Sequence, residues 1–190
     1  MSQPLPAYRF SGHETFVCRY AWLPKAADAV KSDPTILTGA KLKRAMVELG
    51  VGKNMVRSIR FWAEAADIIE NAKGGHGLTT FGTELLLGSP NQPPCDPFLE
   101  DIRTLWLLHW KLATNVKALV FGWDYLINQF QEPELYSSSV RRAFQKAVTQ
   151  LQIDVTPGSL EQLYEVFLHS YVPTVSVQLS RAVSVVGRDQ

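Results

Sequence analysis

Cysteine is almost missing from this sequence. The two present, Cys18 and Cys95, lie far apart and match no C-x-x-C spacing. Two such residues build neither a disulfide framework nor a tetrahedral zinc site, so a reducing, cytoplasmic setting is the expectation. Long apolar runs are lacking too. The most apolar stretch, Leu105 to Trp110, stops at Lys111, far short of the ~20 residues a membrane-spanning helix needs. No membrane partner is expected. The opening Met1-Ser2-Gln3-Pro4-Leu5-Pro6 has no basic region followed by an apolar one, which argues against a secretory signal. No internal repeat or low-complexity segment is visible. What remains, 46% hydrophobic and 19% charged residues in a chain of 190, suits a globular protein able to bury a core without staples.

A strong charge of either sign is also absent, since the whole chain carries +1. The distribution is less neutral. Between Gly39 and Trp62 stand six basic residues (Lys41, Lys43, Arg44, Lys53, Arg57, Arg60) against one acid, Glu48. That is +5, which leaves −4 for the rest of the chain. A positive island on an acidic background points to a local anionic partner, although solvated outer helix faces would give the same count.

Along the chain, Tyr8 to Tyr20 is aromatic-rich without helical periodicity and reads as extended or looped. Ala21 to Lys31 reads as a helix with Trp22, Leu23, Ala26, Ala27 and Val30 inward, stopped by Ser32-Asp33-Pro34. Thr38 is a candidate N-cap for a helix whose stripe is Leu42, Ala45, Met46 and Leu49. Gly50-Val51-Gly52 breaks it with a sharp turn. A second helix from Lys53 to about Ala66 buries Met55, Val56, Ile59, Trp62 and Ala63. Then Ile68 to Glu70 and Leu78 to Thr80 read as strands flanking a glycine-rich turn, Asn71 to Gly77. Phe81 to Leu87 closes as a helix. The resulting order is that of a winged helix-turn-helix, and Leu78-Thr79-Thr80-Phe81-Gly82-Thr83-Glu84-Leu85 fits the L-T-x-x-G-x-x-L pattern that often follows the wing.

Four prolines between Pro90 and Pro97 mark a boundary. Beyond it, Asp96 as cap and Pro97 as first helical residue predict a helix, apolar on nearly every side and central to this half. Further helices are predicted over Val116–Phe130, Ser139–Leu151 and Ser159–Tyr171. The expected fold is therefore mainly α, an N-terminal winged helix-turn-helix with a small β-hairpin wing followed by an all-helical domain. The divisions are 1–37 (arm and first helix), 38–89 (winged helix-turn-helix), 96–172 (helical domain) and 173–190 (a tail without assignment).

A reading helix presents its N-terminal residues to base edges. Here those are Lys53, Asn54, Arg57 and Ser58, with Arg60 toward a flank. Asn reads adenine, Arg reads guanine, and Lys meets phosphate. Lys41, Lys43 and Arg44 would lie near the DNA backbone, and Lys73 and His76 at the wing tip. Evidence for catalysis is thinner, and no catalytic set stands out. His13-Glu14 could serve a metal or acid-base role, but sequence neighbours on an extended segment face opposite ways. Asp96, Glu100 and Asp101 could hold a divalent ion, or simply favour a helix N-terminus. His109 and His169 read as core histidines, and Trp106, Trp110, Trp123 and Tyr125 as core aromatics.

Three strings resemble the bacterial domain-of-unknown-function family numbered 4007. They are Tyr8-Arg9-Phe10-Ser11-Gly12-His13-Glu14-Thr15-Phe16, Gly52-Lys53-Asn54-Met55-Val56 with Ile59-Arg60-Phe61-Trp62, and Leu105-Trp106-Leu107-Leu108-His109-Trp110. The resemblance runs from about Tyr8 to Tyr171. It implies an SspB-type component of a DNA phosphorothioation system, acting on duplex DNA beside the proteins of a sulfur-modification operon involved in defence. Three readings follow. The first is a DNA-binding subunit with no cofactor; the second is a nicking endonuclease using Glu14 or the Asp96 group with magnesium or manganese. The third is a winged-helix regulator whose helical half forms a homodimer or senses a ligand.

Overall fold

A computed structural model of the chain describes residues 7–172. The tail 173–190 lies outside them. The architecture is mainly helical with one small two-stranded antiparallel sheet, and no described helix is long and apolar enough to cross a membrane.

Helix α1, Trp22–Ser32, buries Trp22, Leu23, Ala26, Ala27 and Val30 as their spacing requires, and packs on α3. After a 3-10 turn over Gly39–Lys41 come α2, Leu42–Leu49, and α3, Lys53–Ala65. Thr38 has the extended backbone of a cap but does not act as one. Its hydroxyl donates back to the Thr35 carbonyl at 2.7 Å, leaving the helix start without a side-chain cap. Gly50, at φ 66°, closes α2 in the left-handed region, where a side chain would strain the backbone.

Helix α3 differs most from the surface helix the periodicity predicts. Lys53, Asn54 and Arg57 face solvent and Val56, Ile59, Trp62 and Ala63 are buried as expected, but Ser58, Phe61, Glu64 and Ala65 are buried as well. The reason is the N-terminal segment, which wraps the side away from α1 and α2. Trp62 Nε1 donates to the Phe16 carbonyl at 3.0 Å, and the Trp62 ring meets Trp123 edge-on at 5.1 Å. Arg9 also joins the far part of the chain as a short parallel bridge to Val120: its N–H donates to the Leu119 carbonyl, and its carbonyl accepts from Phe121 N–H. A single apolar cluster therefore runs from α1 and α3 into the later helices.

The hairpin is tighter than predicted. Strands β1, Ile69–Ala72, and β2, Gly75–Leu78, pair in the register Ile69↔Leu78 to Ala72↔Gly75, leaving only Lys73-Gly74 as the turn. Thr79, expected in the returning strand, instead starts the next helix. Its hydroxyl accepts from Gly82 N–H at 2.8 Å and also reaches the Asp67 and Ile68 carbonyls. Helix α4, Thr80–Gly82, runs into a wider i→i+5 turn over Thr83–Leu87, closed by Gly88 N–H on the Thr83 carbonyl. Gly82 lies so close to β1's approach that a Cβ there would sit 2.2 Å from the Ile68 carbonyl oxygen. Removing the cap by Thr79→Ala is expected to cost about 1–2 kcal/mol, read as a lower urea midpoint with unchanged slope.

Helix α5 spans Ile102–Thr114, later than predicted. Asp101 caps it, accepting from Arg103 N–H, while Asp96 instead ties the preceding loop by accepting from Glu100 and Asp101 N–H. The helix is not the buried centre of this half. It buries Thr104, Leu108, Leu112 and Ala113, but Trp106 and Trp110 are 66% and 57% exposed. The central place belongs to Phe121 and Trp123 in α6, Phe121–Asp124, which continues into a second i→i+5 turn over Tyr125–Gln129. The helix expected from Val116 starts five residues late because 116–120 forms the turn and strip that pair with Arg9. Helices α7, Ser137–Gln150, and α8, Pro157–Tyr171, pack on each other and close the fold. His169, expected in the core, is exposed on α8.

Candidate nucleic-acid interface

The basic segment resolves into three groups. On α3, Lys53, Asn54 and Arg57 are exposed within its first two turns, where unpaired helix N–H groups add positive potential. Lys43 is exposed on α2, and Lys73 is exposed at the hairpin turn. Among the described residues Lys43, Lys53 and Lys73 make no ion pair, so their charge is uncompensated at short range.

Lys41 and Arg44 are committed elsewhere. Lys41 Nζ donates to Asp33 at 2.7 Å, and Arg44 reaches Asp33 at 3.4 Å and Glu48 at 3.6 Å. The Lys41 ammonium and the Thr35 hydroxyl and N–H hold the Asp33 carboxyl well below the usual carboxylate range. These two cations brace the turn before α2 and contribute less field than their number suggests.

Two predicted contact residues are not at the surface. Ser58 is fully buried, because position 58 faces the side of α3 that the N-terminal segment covers, and its hydroxyl has no partner among the described residues. His76 is not at the hairpin tip. It lies in β2, buried, with Nε2 3.1 Å from Glu64 Oε1. A carboxylate only accepts, so Nε2 carries the proton. Arg60 is half-buried and leans on the same Glu64 at 3.9 Å.

Glu64 is the hub that sequence reasoning missed. Arg9 donates to it at 2.8 Å while lying 4.2 Å over the Phe61 ring, and Asn115 donates to the Glu64 and Ala65 carbonyls. Burial by itself pushes the Glu64 carboxyl up. The His76 hydrogen bond and the Arg9 and Arg60 charges outweigh it, so the group stays below its ordinary value. The available signal was the charge itself, an acid on the same face as Phe61 and two residues after Trp62.

A second feature missed is how the N-terminal string meets α3. His13 is buried, edge-on to Phe61 and stacked on Trp62, and its Nδ1 accepts from Thr15 N–H at 3.2 Å. Its Nε2 has no partner among the described residues, and burial lowers its pKa. Gly12, at φ 110°, lies against Phe61, where a Cβ would come within 2.9 Å of Cδ2. Glu14 and Thr15 are both held at positive φ, 50° and 67°, at a strain of order 1–3 kcal/mol each. This turn sets Glu14 3.6 Å from Arg57.

Of the carboxylates considered for a divalent ion, Asp96, Asp101 and Glu14 are occupied, while Glu100 is exposed. Asp96 accepts two backbone N–H groups, and Asp101 is held down to about 2 by the Arg103 guanidinium. Glu14 pairs with Arg57. A cleft of about 150 Å³ holds Glu64, Asp67 and Glu70, but Asp67 pairs with Lys111 and Glu70 with Lys117. Among the described residues no three His, Cys, Asp or Glu side chains are grouped to hold a metal ion.

The family described as "Protein of unknown function (DUF4007)" matches residues 10–182 of this chain. No curated protein matches significantly. Two solved structures, a magnesium ion-bound SspB crystal structure and an SspB crystal structure, superpose with TM-scores of 0.75 and 0.74, each at 26% identity. They cover 88% and 89% of this chain, which in turn spans 51% of each of theirs, about half their length. The chain belongs to the DUF4007 family and has the SspB-type fold.

Proposed function

We propose that this protein is the DNA-engaging component of a DNA phosphorothioation system, and that α2, the Gly50–Gly52 turn, α3 and the β1–β2 hairpin act on duplex DNA as a winged helix. The observation that carries the reading is the exposed start of α3, where Lys53, Asn54 and Arg57 are presented together, with Lys43 on one side and Lys73 on the hairpin turn. The likeness to SspB supplies the biological setting. Strand β2 is anchored two residues after the turn, because His76 N–H donates to the Pro34 carbonyl at 2.8 Å. A fixed strand suits phosphate contact by Lys73 at its turn.

Phosphate contacts release counterions, so affinity should fall steeply between low and moderate salt. The double reversal Lys53→Glu/Arg57→Glu is expected to weaken binding to a 20-base-pair duplex at least tenfold at moderate salt, by fluorescence anisotropy. It should also flatten the salt dependence by at least the one contact that Lys53 makes. Affinity unchanged in the double variant would sink the DNA reading.

A second reading has one observation in its favour: a similar solved protein binds magnesium. Under it the protein nicks DNA, with any metal donors supplied outside the arrangement described above. Supercoiled plasmid with magnesium or manganese separates the readings. Open-circular product supports nicking, and an unchanged plasmid leaves DNA binding alone.

A further inference from the structure

We propose that Glu14 is a specificity-determining residue that keeps the Arg57 guanidinium off the phosphate backbone and aims it at a guanine edge in the major groove. The inference rests on the DNA-binding reading above and goes beyond it by naming the base.

Three observations carry it. First, the carboxylate lies beside the exposed start of α3, 3.6 Å from Arg57 Nη1, on a helix whose exposed first turns otherwise carry Lys53, Asn54 and Arg57. An acid there works against general attraction to DNA, so its presence needs a reason. Second, two successive non-glycine residues, Glu14 and Thr15, occupy the left-handed region. Strain of this kind persists only where the surroundings over-determine it. Third, the surroundings do so. Gly12 and His13 are pressed on Phe61 and Trp62, His13 Nδ1 holds Thr15 N–H, and Phe16 accepts from Trp62 Nε1. The buried half of α3 thus fixes a turn whose product at the surface is the position of one carboxylate.

The chemistry follows from the guanidinium's five donors. A Glu14–Arg57 pair is close to neutral as seen by a phosphate, so long-range attraction to the backbone is largely cancelled. The carboxylate lies nearest Nη1, at 3.6 Å. The remaining N–H groups keep their directionality and can still meet guanine O6 and N7 together. Lys53 and Lys73, without carboxylates beside them, supply the non-specific phosphate contacts.

The test measures the full chain and its variants on two 20-base-pair duplexes, one of alternating G·C and one of alternating A·T, by anisotropy across a salt series. Wild type is expected to favour the G·C duplex by roughly 5- to 150-fold, the range of one bidentate base contact. Glu14→Gln should remove most of that preference by strengthening A·T binding, and should steepen the salt slope by about one contact as Arg57 turns to phosphate. Glu14→Asp should retain the preference. A preference unaltered in Glu14→Gln, or lost without a change in salt slope, overturns the inference. Wild type binding both duplexes equally also overturns it while leaving DNA binding intact; binding to neither overturns both. If Glu14→Gln does not fold, Arg57→Gln decides, since a G·C preference retained without Arg57 is incompatible with the proposal.

Discussion

Trp62→Ala is expected to lower folding stability by about 3–5 kcal/mol, the range for truncating a fully enclosed aromatic. Trp62 is completely buried and donates through Nε1 to the Phe16 carbonyl. It packs edge-on against both Phe61 and Trp123. Truncation would leave a large void where α3, the N-terminal segment and α6 meet, and would orphan the Phe16 carbonyl. At roughly 2–4 °C per kcal/mol for a chain of this size, the melting midpoint should fall by about 6–20 °C. A loss under 1 kcal/mol would mean that the second half of α3 is not enclosed.

Arg9→Met is the second large effect, and it depends on pH. The variant keeps most of the packing over Phe61 but leaves Glu64 with only His76 and the more distant Arg60. Breaking a buried pair from one side costs about 3–5 kcal/mol. The partial exposure of Arg9 and the two remaining partners place the expectation near the lower end, about 3 kcal/mol at pH 7. In the wild type the Glu64 carboxyl lies below its ordinary value. Its contribution is therefore full above the unfolded carboxylate range and lost as pH falls through the lower folded value. Without Arg9 the folded value rises. The gap between variant and wild type should narrow as pH falls through the variant's Glu64 value toward the wild type's. Urea unfolding at pH 7 and near pH 4.5 checks this, and a gap independent of pH would contradict it.

Periodicity places Trp62 inside but says nothing of the segment carrying Arg9 and Phe16 that encloses it. The stripes Trp22-Leu23-Ala26-Ala27-Val30 and Leu42-Ala45-Met46-Leu49 gave α1 and α2 their places because each helix has one dry face. On α3 the same rule placed Ile59, Trp62 and Ala63 inside correctly but did not reach Ser58, Phe61 and Glu64. A helix covered from a second side by a segment distant in sequence has two dry faces, and Ser58 and Glu64 lie on the one that the local pattern assigns to solvent. The reverse happened in α5. Its sequence is apolar all round, which suggests burial, yet Trp106 and Trp110 stand outside. Hydrophobicity reports what a face can do, not what covers it.

The candidate interface was legible in part for the same reason. Lys53, Asn54, Arg57, Lys43 and Lys73 are surface cations and polar groups wherever the helices and hairpin form. His76 was displaced by turn geometry: a two-residue turn at Lys73-Gly74 pulls position 76 into the strand and toward Glu64. The Glu14–Arg57 pair joins residues 43 positions apart, and nothing in either string alone brings them together. The unusual Gly12-His13-Glu14 string was visible, but its task depends on Phe61 and Trp62 beneath it.

The Arg9–Val120 bridge and the Tyr8–Asp124 hydrogen bond join groups as much as 116 positions apart. On a ribosome making about 5–20 residues per second, the first residues wait roughly 6–25 s for these partners to be synthesised. For that interval the strip can pack on α3 but lacks its partners at 119–124, and the side of Trp62 that meets Trp123 stays open to water. Contacts of this span also make for slow closure once the chain is free. The protein is therefore most vulnerable to proteases and chance association early in its synthesis, when α3 and the N-terminal strip already exist and α6, which packs Trp123 on Trp62, does not.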